Sequence, residues 1–495
     1  MTRETQPLLR GSSGGNLTND DDEIIDGAYT PKHPAVINGA QTQIYLLLVM
    51  VAGLDFTVFM LNLPLTRVYE SIICYHYWAA VDPGRFPDEV PEALCKGAPV
   101  QEELAIVKGY EMLFMSLPGM LLALPYGYLA DRIGRKPVLM LSALGLAASL
   151  SCILLICHFP QLVPLRMVWA AWLLTVCGGG ASVVISLTFS MLTDLTTERE
   201  RATVFLRLAV AILIGQAVAA PLASAMMEKL GTTLPILVAY SIGLASCFLT
   251  VFTTETSEMR SKTEDDDTEE GIVMDAEITG WIAKLTDKLT LVLKSLSIVA
   301  LISSFFVNAV GTSANNIIVQ YASKRFDLSI SQAGNFLTIR AVATIFAFLV
   351  LIPLGSRLLG RWFGIQGSVR DLWVTRATVL FIPVGFFLIA AGQSQGMVAG
   401  GMVLTAMGSG YSNLMRSVAT GIVHPSRIAQ LHGVITTVET SAQLVSGPCL
   451  AKAFSTGLRD GCIGLPFYLG AILTALGSTL VWVIRIPEAV NHGDE

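Results

Sequence analysis

The chain is divided into twelve apolar segments, each close to the length that a helix needs to cross a lipid bilayer. A spanning helix needs about 20 apolar residues, and it satisfies its own backbone hydrogen bonds within the lipid. Only 14% of the residues are charged, whereas a soluble globular chain carries about 25%. We therefore predict an all-α membrane protein with twelve transmembrane helices. The segments lie near residues 44–63, 105–130, 137–157, 166–191, 204–227, 232–253, 292–318, 331–354, 375–392, 395–421, 431–454 and 464–486.

Lysine and arginine residues predict the orientation of the chain. With the N-terminus in the cytoplasm, the cytoplasmic connections and the segment ends beside them carry 20 of them, and the outer connections and the segment ends beside them carry 8. Basic connections are retained in the cytoplasm, so both termini are expected there. Residues 1–43 are polar and rich in Asp, Gly and Ser, with no cleavable signal sequence, and predict a disordered cytoplasmic tail. Residues 487–495 predict a second, short cytoplasmic tail.

The twelve segments form two halves that resemble each other. In each half a glycine cluster precedes a polar loop and then a proline, with Gly178–Gly180 before Pro221 and Gly408–Gly410 before Pro448. The repetition predicts two pseudo-symmetric six-helix bundles, with a substrate site between them near the middle of the membrane. The expected bundles are residues 44–253 and 291–486, joined by an acidic cytoplasmic linker at 254–290.

A short charged hairpin between the second and third segments is the most specific motif. Residues 127–136 read GYLADRIGRK. Gly127 would let a neighbouring helix approach closely, and Gly134 would allow a sharp backbone reversal. The basic residues would hold the turn on the cytoplasmic side.

The hairpin resembles the G-x-L-a-D-R-x-G-R-K signature between helices 2 and 3 of the Major Facilitator Superfamily of transporters. Residues 194–202 resemble the D-x-x-x-x-E-x-R-A loop of that superfamily, whose charges lock against the hairpin in one conformation. The resemblance implies a conformational gate in which Asp131 pairs with Arg199 or Arg201, and Arg132 or Arg135 pairs with Asp194 or Glu198. The gate residues would be Gly127, Asp131, Arg132, Gly134, Arg135, Asp194, Glu198 and Arg201.

Charged residues inside the apolar segments mark candidate functional sites, because charge is costly in lipid and faces a cavity instead. Asp55 and Glu439 are the candidate proton-accepting carboxylates. The alternative for Glu439 is a static salt bridge to Arg416 that only joins neighbouring helices. The candidate substrate-cavity residues are Arg340, Arg416, Asn335, Gln320 and Asn413.

Two cysteines, Cys74 and Cys95, lie in the outer connection between the first two segments. The exoplasmic side is oxidising, so a disulfide between them and a pair of free thiols are both considered.

The sequence contains no phosphate-binding loop, metal-ligand cluster or nucleophile–base constellation, which argues against an enzyme and predicts neither a cofactor nor a metal. Residues 67–70, 100–104, 320–326 and 337–341 resemble a group of fungal facilitators distantly similar to the proton-coupled folate transporter family. The resemblance implies a secondary active transporter.

The expected function is proton-coupled export of a small organic molecule, such as a secondary metabolite or drug. Residues 215–221 loosely resemble the Gly-Pro motif of drug:proton antiporters, which favours export. Proton-coupled import of a nutrient or vitamin-like organic anion is the alternative, and a nontransporting membrane sensor is a further one. The expected partners are the substrate, protons and the lipid bilayer; nucleic acid is not expected, and the chain is expected to be a monomer.

The plasma membrane is the expected location, with the vacuolar membrane as the alternative. The vacuolar alternative comes from residues 4–9, ETQPLL, which fit the acidic dileucine pattern that sorting adaptors read in a cytoplasmic tail.

Overall fold

The computed structural model describes residues 39–82, 90–256, 296–364, 367–422 and 428–485. These residues form helices and no strands. Ten of the helices are long and apolar enough to cross a membrane, and the remaining two spans are α10 and α11 below. The first half consists of α1 Ala40–Val81, α2 Ala98–Ile133, α3 Arg135–His158, α4 Leu165–Leu195, α5 Glu198–Leu230 and α6 Thr233–Phe252. The second half consists of α7 Leu296–Phe326, α8 Ile330–Trp362, α9 Gly367–Ala391, α10 in two segments, Gln395–Met407 and Tyr411–Ile422, α11 Ile428–Arg459 and α12 Leu465–Val483.

The predicted all-α fold, with twelve transmembrane helices in two pseudo-symmetric six-helix bundles, is confirmed. The expected tails, most of the expected linker and the dileucine pattern at residues 4–9 lie outside the described residues. The expected N-terminal tail was residues 1–43, but α1 begins at Ala40, so the last residues of that range belong to the helix.

Equivalent helices pack in equivalent ways in the two halves. In the first half α1 packs against α5 and α6, and in the second half α7 packs against α11 and α12. The glycine clusters also correspond, because α4 is irregular before Gly180 and α10 is interrupted between Met407 and Tyr411. The repetition seen in the sequence therefore reflects a repeated bundle.

Helix α1 extends well beyond the predicted span, which ended near residue 63. Its 42 residues correspond to about 63 Å, which exceeds the thickness of a bilayer. The extension contains Glu70, which is fully buried and accepts hydrogen bonds from Arg67, Lys96 and Gln101 at 2.6–2.8 Å. These contacts satisfy the buried charge in a helix that is longer than a bilayer is thick.

The two halves meet along two helix pairs, α2 with α11 and α5 with α8. In the first pair Gly109 faces Gly447, and a Cβ atom on Gly109 would lie 2.7 Å from the Gly447 carbonyl oxygen. The absence of side chains at this crossing lets the two backbones touch. This crossing lies in the part of α2 and α11 nearest the connection between α1 and α2. We call that end of the bundle the outer end, following the orientation predicted from the basic residues.

Candidate functional site

A cavity with two connected chambers lies between the helices. The chamber in the second half has a volume of about 410 Å³ and the larger chamber has a volume of about 560 Å³. They share the lining residues Met112, Ser313, Asn316 and Gln443. We call the first the polar chamber, defined by Asn308, Asn315, Arg340, Tyr411, Ser412 and Glu439. We call the second the apolar chamber, defined by Val51, Leu54, Leu146, Leu150, Ile185 and Ile212.

Glu439 lines the polar chamber and has a cationic partner on the neighbouring helix. The Arg416 guanidinium donates to Glu439 Oε2 at 2.5 Å, and the Ser412 hydroxyl donates to Oε1 at 2.8 Å. Both charged side chains are about a quarter exposed, at 24% and 27%. Arg416 also lies over the Phe305 ring. This is the interhelical salt bridge between Glu439 and Arg416 that was considered above as the alternative to a proton-accepting role for Glu439.

Asp55 lines the apolar chamber and has a neutral partner. Its Oδ2 accepts a hydrogen bond from Gln216 Nε2 of α5 at 3.0 Å. Among the described residues it forms no ion pair. The two candidate carboxylates therefore lie in different chambers and have partners of different charge.

The other candidate cavity residues are divided by the structure. Arg340 lines the polar chamber and forms no ion pair with the part of the chain that the structure describes. Gln320 lines the apolar chamber, where its buried Nε2 has no hydrogen-bond partner. Asn335 and Asn413 are exposed and line neither chamber, so the structure does not support them as cavity residues. Helix rotation decides this outcome, because a span has both cavity-facing and lipid-facing sides.

A second polar cluster in the apolar chamber was not singled out from the sequence. Lys108 and Glu111 on α2 line the chamber and pair at 3.7 Å. Glu111 also accepts a hydrogen bond from the buried Tyr69 hydroxyl at 3.0 Å, and Lys108 lies over the same ring. The spacing of three residues on one apolar helix was the available signal for this pair.

The charged hairpin between α2 and α3 is tied to the ends of α4 and α6. The Arg135 guanidinium forms an ion pair with Asp194 and donates to the Ser190 carbonyl oxygen at 3.0 Å. The structure thus brings together one of the gate pairs considered from the sequence. Arg132 instead lies over the Tyr128 ring at 4.6 Å. The side chains of Glu198, Arg199 and Arg201 lie outside the description.

Three further features of the hairpin differ from, or add to, the sequence interpretation. A Cβ atom on Gly127 would have nothing within 4 Å, so the close helix approach expected there is wrong. Asp131 is exposed and forms no ion pair with another described residue. Gly134 has a φ of +103° and borders Glu255, whose carboxylate accepts from the Arg135 and Lys136 amides at 2.9 and 3.0 Å. Glu255 therefore caps α3 at its positive end, a contact that no sequence motif predicts.

The outer end contains several polar contacts between the two halves. In the short helix Glu92–Lys96, Glu92 accepts from the Ile330 amide at 2.8 Å. Lys324 Nζ donates to the Lys96 carbonyl oxygen at 2.6 Å, and Arg459 of α11 pairs with Glu102 of α2. Further from the outer end, the described contacts between the halves include two weaker ones to sulfur, from Asn316 to Met112 and from Ser441 to Met120. The described contacts therefore join the halves mainly on the outer side.

Electrostatic partners stabilise the charged form of Glu92. Burial alone would raise the pKa of this carboxyl, but Lys96, Arg67 and the Ile330 amide together lower the pKa below its ordinary value. The segment is also covalently anchored, because the structure joins Cys74 of α1 and Cys95 in a disulfide with a Cα–Cα distance of 5.3 Å.

Comparisons with known proteins agree with this architecture. Residues 45–447 match the Major Facilitator Superfamily. The MFS efflux pump atnC of Emericella nidulans is 27% identical over 475 residues, covering 93% of this chain and 91% of that protein. The efflux pump ustT of Aspergillus flavus is 27% identical over 453 residues, covering 88% of this chain and 86% of that protein.

The fold is also found among solved structures. The crystal structure of a D-xylose-proton symporter matches with a TM-score of 0.61 at 14% identity, covering 91% of this chain and 98% of that one. At that identity the match shows the fold alone. The match to the superfamily covers residues 45–447, which is most of the chain, and it agrees with the hairpin motif and the two six-helix bundles. The chain therefore belongs to the Major Facilitator Superfamily of membrane transporters.

Proposed function

We propose that this protein is a proton-coupled exporter of a small organic molecule, such as a secondary metabolite or drug, working by alternating access. Two relatives that align over most of the chain carry the description efflux pump. The cavity lies between the halves, and the described polar contacts that join the halves are concentrated at the outer end. An alternating-access carrier needs this arrangement in the state in which its site opens to the cytoplasm.

Asp55 is the proposed proton carrier, and its neutral partner is the observation that carries the proposal. Protonating Asp55 leaves one of its oxygens able to accept from Gln216. Protonating Glu439 would remove the negative charge opposite Arg416 and leave a half-buried arginine without its partner. The exchange of a proton is therefore easier at Asp55, and Glu439 is the second candidate.

The proposed cycle uses two sets of contacts at opposite ends of the bundle. At the inner end Arg135, Asp194 and Glu255 hold the hairpin against α4 and the end of α6. At the outer end the contact of Glu92 with the start of α8 must break before the cavity can open outwards. The expected pairing of Asp131 with Arg199 or Arg201 is part of this proposal for the opposite state.

Proton-coupled import of an organic anion is the second candidate function. It rests on the resemblance to the proton-coupled folate transporters and on Arg340, which lines the polar chamber without an ion pair among the described residues. The remaining parts of the proposal are that the protein catalyses no chemical reaction and acts as a monomer in the plasma membrane. The vacuolar membrane is the alternative location.

Reconstitution into sealed vesicles tests the direction of coupling. Compounds that shift the thermal unfolding of the purified protein would be selected from a small-molecule library and then measured for flux. An antiporter accumulates the compound when the vesicle lumen is acidic, whereas a symporter accumulates it when the outside medium is acidic, whichever way the protein is inserted. Flux that ignores the gradient in both arrangements would refute proton coupling, and binding without any flux would indicate a sensor.

A further inference from the structure

The two chambers differ in the chemistry of their walls. The polar chamber presents amide, hydroxyl and charged side chains, including Asn308, Asn315, Ser412 and Arg340. Aliphatic side chains form most of the wall of the apolar chamber, and Ile185 is 45% exposed on it. Asp55 and the Lys108–Glu111 pair also line the apolar chamber, but its mainly aliphatic wall favours the apolar end of a ligand that fills both chambers, because burying a polar group against aliphatic side chains is unfavourable.

The polar chamber also carries an arginine whose charge is not balanced by the described residues. Arg340 is half-buried and has no ion pair there, although buried charges in membrane proteins are normally paired. The carboxylate of the same chamber, Glu439, is engaged by Arg416 and Ser412. An anionic group from a ligand would supply the missing partner of Arg340.

The sizes of the two chambers suit a small organic ligand. The volumes of about 410 and 560 Å³ are within the range of about 300–1,000 Å³ found for small-molecule sites.

We infer that the transported molecule is an amphipathic organic acid carried as its anion. Its acidic group binds Arg340, and its aromatic or aliphatic body lies in the apolar chamber. The inference rests on the proposed transport function and names the substrate class of the same cavity.

Matched pairs of probes test the inference by equilibrium binding to the purified full-length protein. Naphthylacetate is compared with naphthylacetamide, and pyrenebutyrate with its primary amide, so that each pair keeps the aromatic body and exchanges an anionic group for a neutral one. Trp172 lines the apolar chamber, and energy transfer from it to the pyrene probes reports where the body binds. We expect each acid to bind more tightly than its amide, and we expect pyrenebutyrate to quench tryptophan fluorescence less in Trp172→Phe than in the parent protein.

Substitutions at three positions separate the role of the charge from that of the apolar body. Charge-assisted hydrogen bonds are worth enough that Arg340→Gln should weaken binding of the acids by about tenfold to a hundredfold and leave the amides unchanged. Arg340→Lys should retain part of the preference. Ile185→Asn should weaken acids and amides alike. The matched control is Arg357→Gln, which removes an exposed arginine from the same helix, outside both chambers.

The possible results distinguish a failure of the ligand class from a failure of the transport function. Equal affinity for acid and amide, no binding of either, or an unchanged preference in a folded Arg340→Gln protein overturns the inference. A preference for acids without gradient-driven flux would refute the proposed transport function and leave the ligand class standing. Gradient-driven flux of the amides at the rate of the acids would refute the ligand class and leave transport standing.

Discussion

The two halves of the molecule repeat one architecture but place different chemistry on it. In the first half the proposed proton carrier is Asp55, which a neutral glutamine holds, while the second carboxylate there, Glu111, pairs with Lys108. In the second half the cavity carboxylate is Glu439, which an arginine and a serine hold. A carboxylate with a neutral partner can change its charge without disrupting the helix packing, whereas a carboxylate in an ion pair contributes to that packing. The fold is symmetric, and the proposed functions of its halves are not.

The inner ends show a related difference. In the first half Arg135 at the start of α3 forms an ion pair with Asp194 near the end of α4. At the corresponding place in the second half, Asp371 of α9 accepts a hydrogen bond from the Ser417 hydroxyl of α10 at 2.6 Å. Both contacts involve a carboxylate, but Arg135 adds a second charge and also donates to the Ser190 carbonyl oxygen. Among the described contacts, the first half therefore carries the stronger inner lock.

The largest expected effect tests the assignment of the proton carrier. Asp55→Asn should abolish gradient-driven accumulation and leave exchange of the substrate across the vesicle membrane in place, because the substituted side chain cannot carry a proton. Its stability should change little, since Gln216 still has an oxygen to which it can donate. Flux with and without a pH gradient measures both properties.

The control is Glu228→Gln, which removes an exposed carboxylate from the outer end of α5, outside both chambers. It should leave coupling intact. Normal pH-driven accumulation in Asp55→Asn would show that the difference between the halves has been assigned the wrong way round.

The second prediction concerns the structural role of Glu439. Glu439→Gln should lower the free energy of unfolding by about 2 kcal/mol, because Arg416 loses its counter-charge while both groups retain some contact with water. At a temperature low enough to keep this variant folded, pH-driven accumulation of the substrate should be retained. Thermal unfolding of this variant, Arg416→Gln and the double variant measures the effect, and the double variant should lose less than the sum of the two.

Additive losses in that cycle would mean that the pair does not act as a unit. Loss of coupling in a stably folded Glu439→Gln protein would make Glu439 the proton carrier instead of Asp55.

The fold could be predicted from the sequence more completely than the site. Apolar length and repeated glycine clusters predict twelve spans in two halves because the bilayer imposes both constraints locally. The end of α1 could not be predicted in the same way, since Glu70 is stabilised by Lys96 and Gln101 from later in the chain. Hydropathy describes the transfer of a segment into lipid and contains no information about such partners.

Within the site, the sequence identified some of the charged residues, missed Lys108 and Glu111, and did not show which way a helix faces. Asp55, Arg340 and Glu439 line the cavity because charge is excluded from lipid. Uncharged amides are less constrained, and Asn335 and Asn413 face away from both chambers. The cap by Glu255 joins residues about 120 positions apart, and only the packed fold brings them together.

The third prediction compares the inner locks. Asp194→Asn should lower the free energy of unfolding by about 1 kcal/mol, less than Glu439→Gln, because Arg135 keeps the Ser190 carbonyl oxygen as an acceptor. Ser417→Ala should have a smaller effect. Thermal unfolding ranks the two variants, and the rate of flux reports on opening. A larger loss in Ser417→Ala would contradict the view that the first half has the stronger lock.

The smallest expected effect concerns the outer connections, which also differ between the halves. The second half joins α7 to α8 through residues 327–329 only, whereas the first half inserts residues 82–97, which include the disulfide-anchored Glu92–Lys96 helix. That helix contacts the partner half through Glu92, and its carboxylate is the titratable part of the junction.

Because the pKa of Glu92 is lowered in the folded protein, its charged form contributes stability that is complete above the unfolded-state value near 4.5. That contribution is lost as the pH falls through the lower, folded-state pKa. Glu92→Gln should therefore be less stable than the parent at pH 7, by below about 1 kcal/mol for a pair partly open to water, and the difference should shrink as the pH falls below 4.5. Thermal unfolding of both proteins between pH 7 and pH 3 measures this, with Glu228→Gln as the control for removing an outer carboxylate away from the junction. A difference that persists unchanged at the acid end would mean that Glu92 acts through packing, and that its charge does not hold the outer end closed.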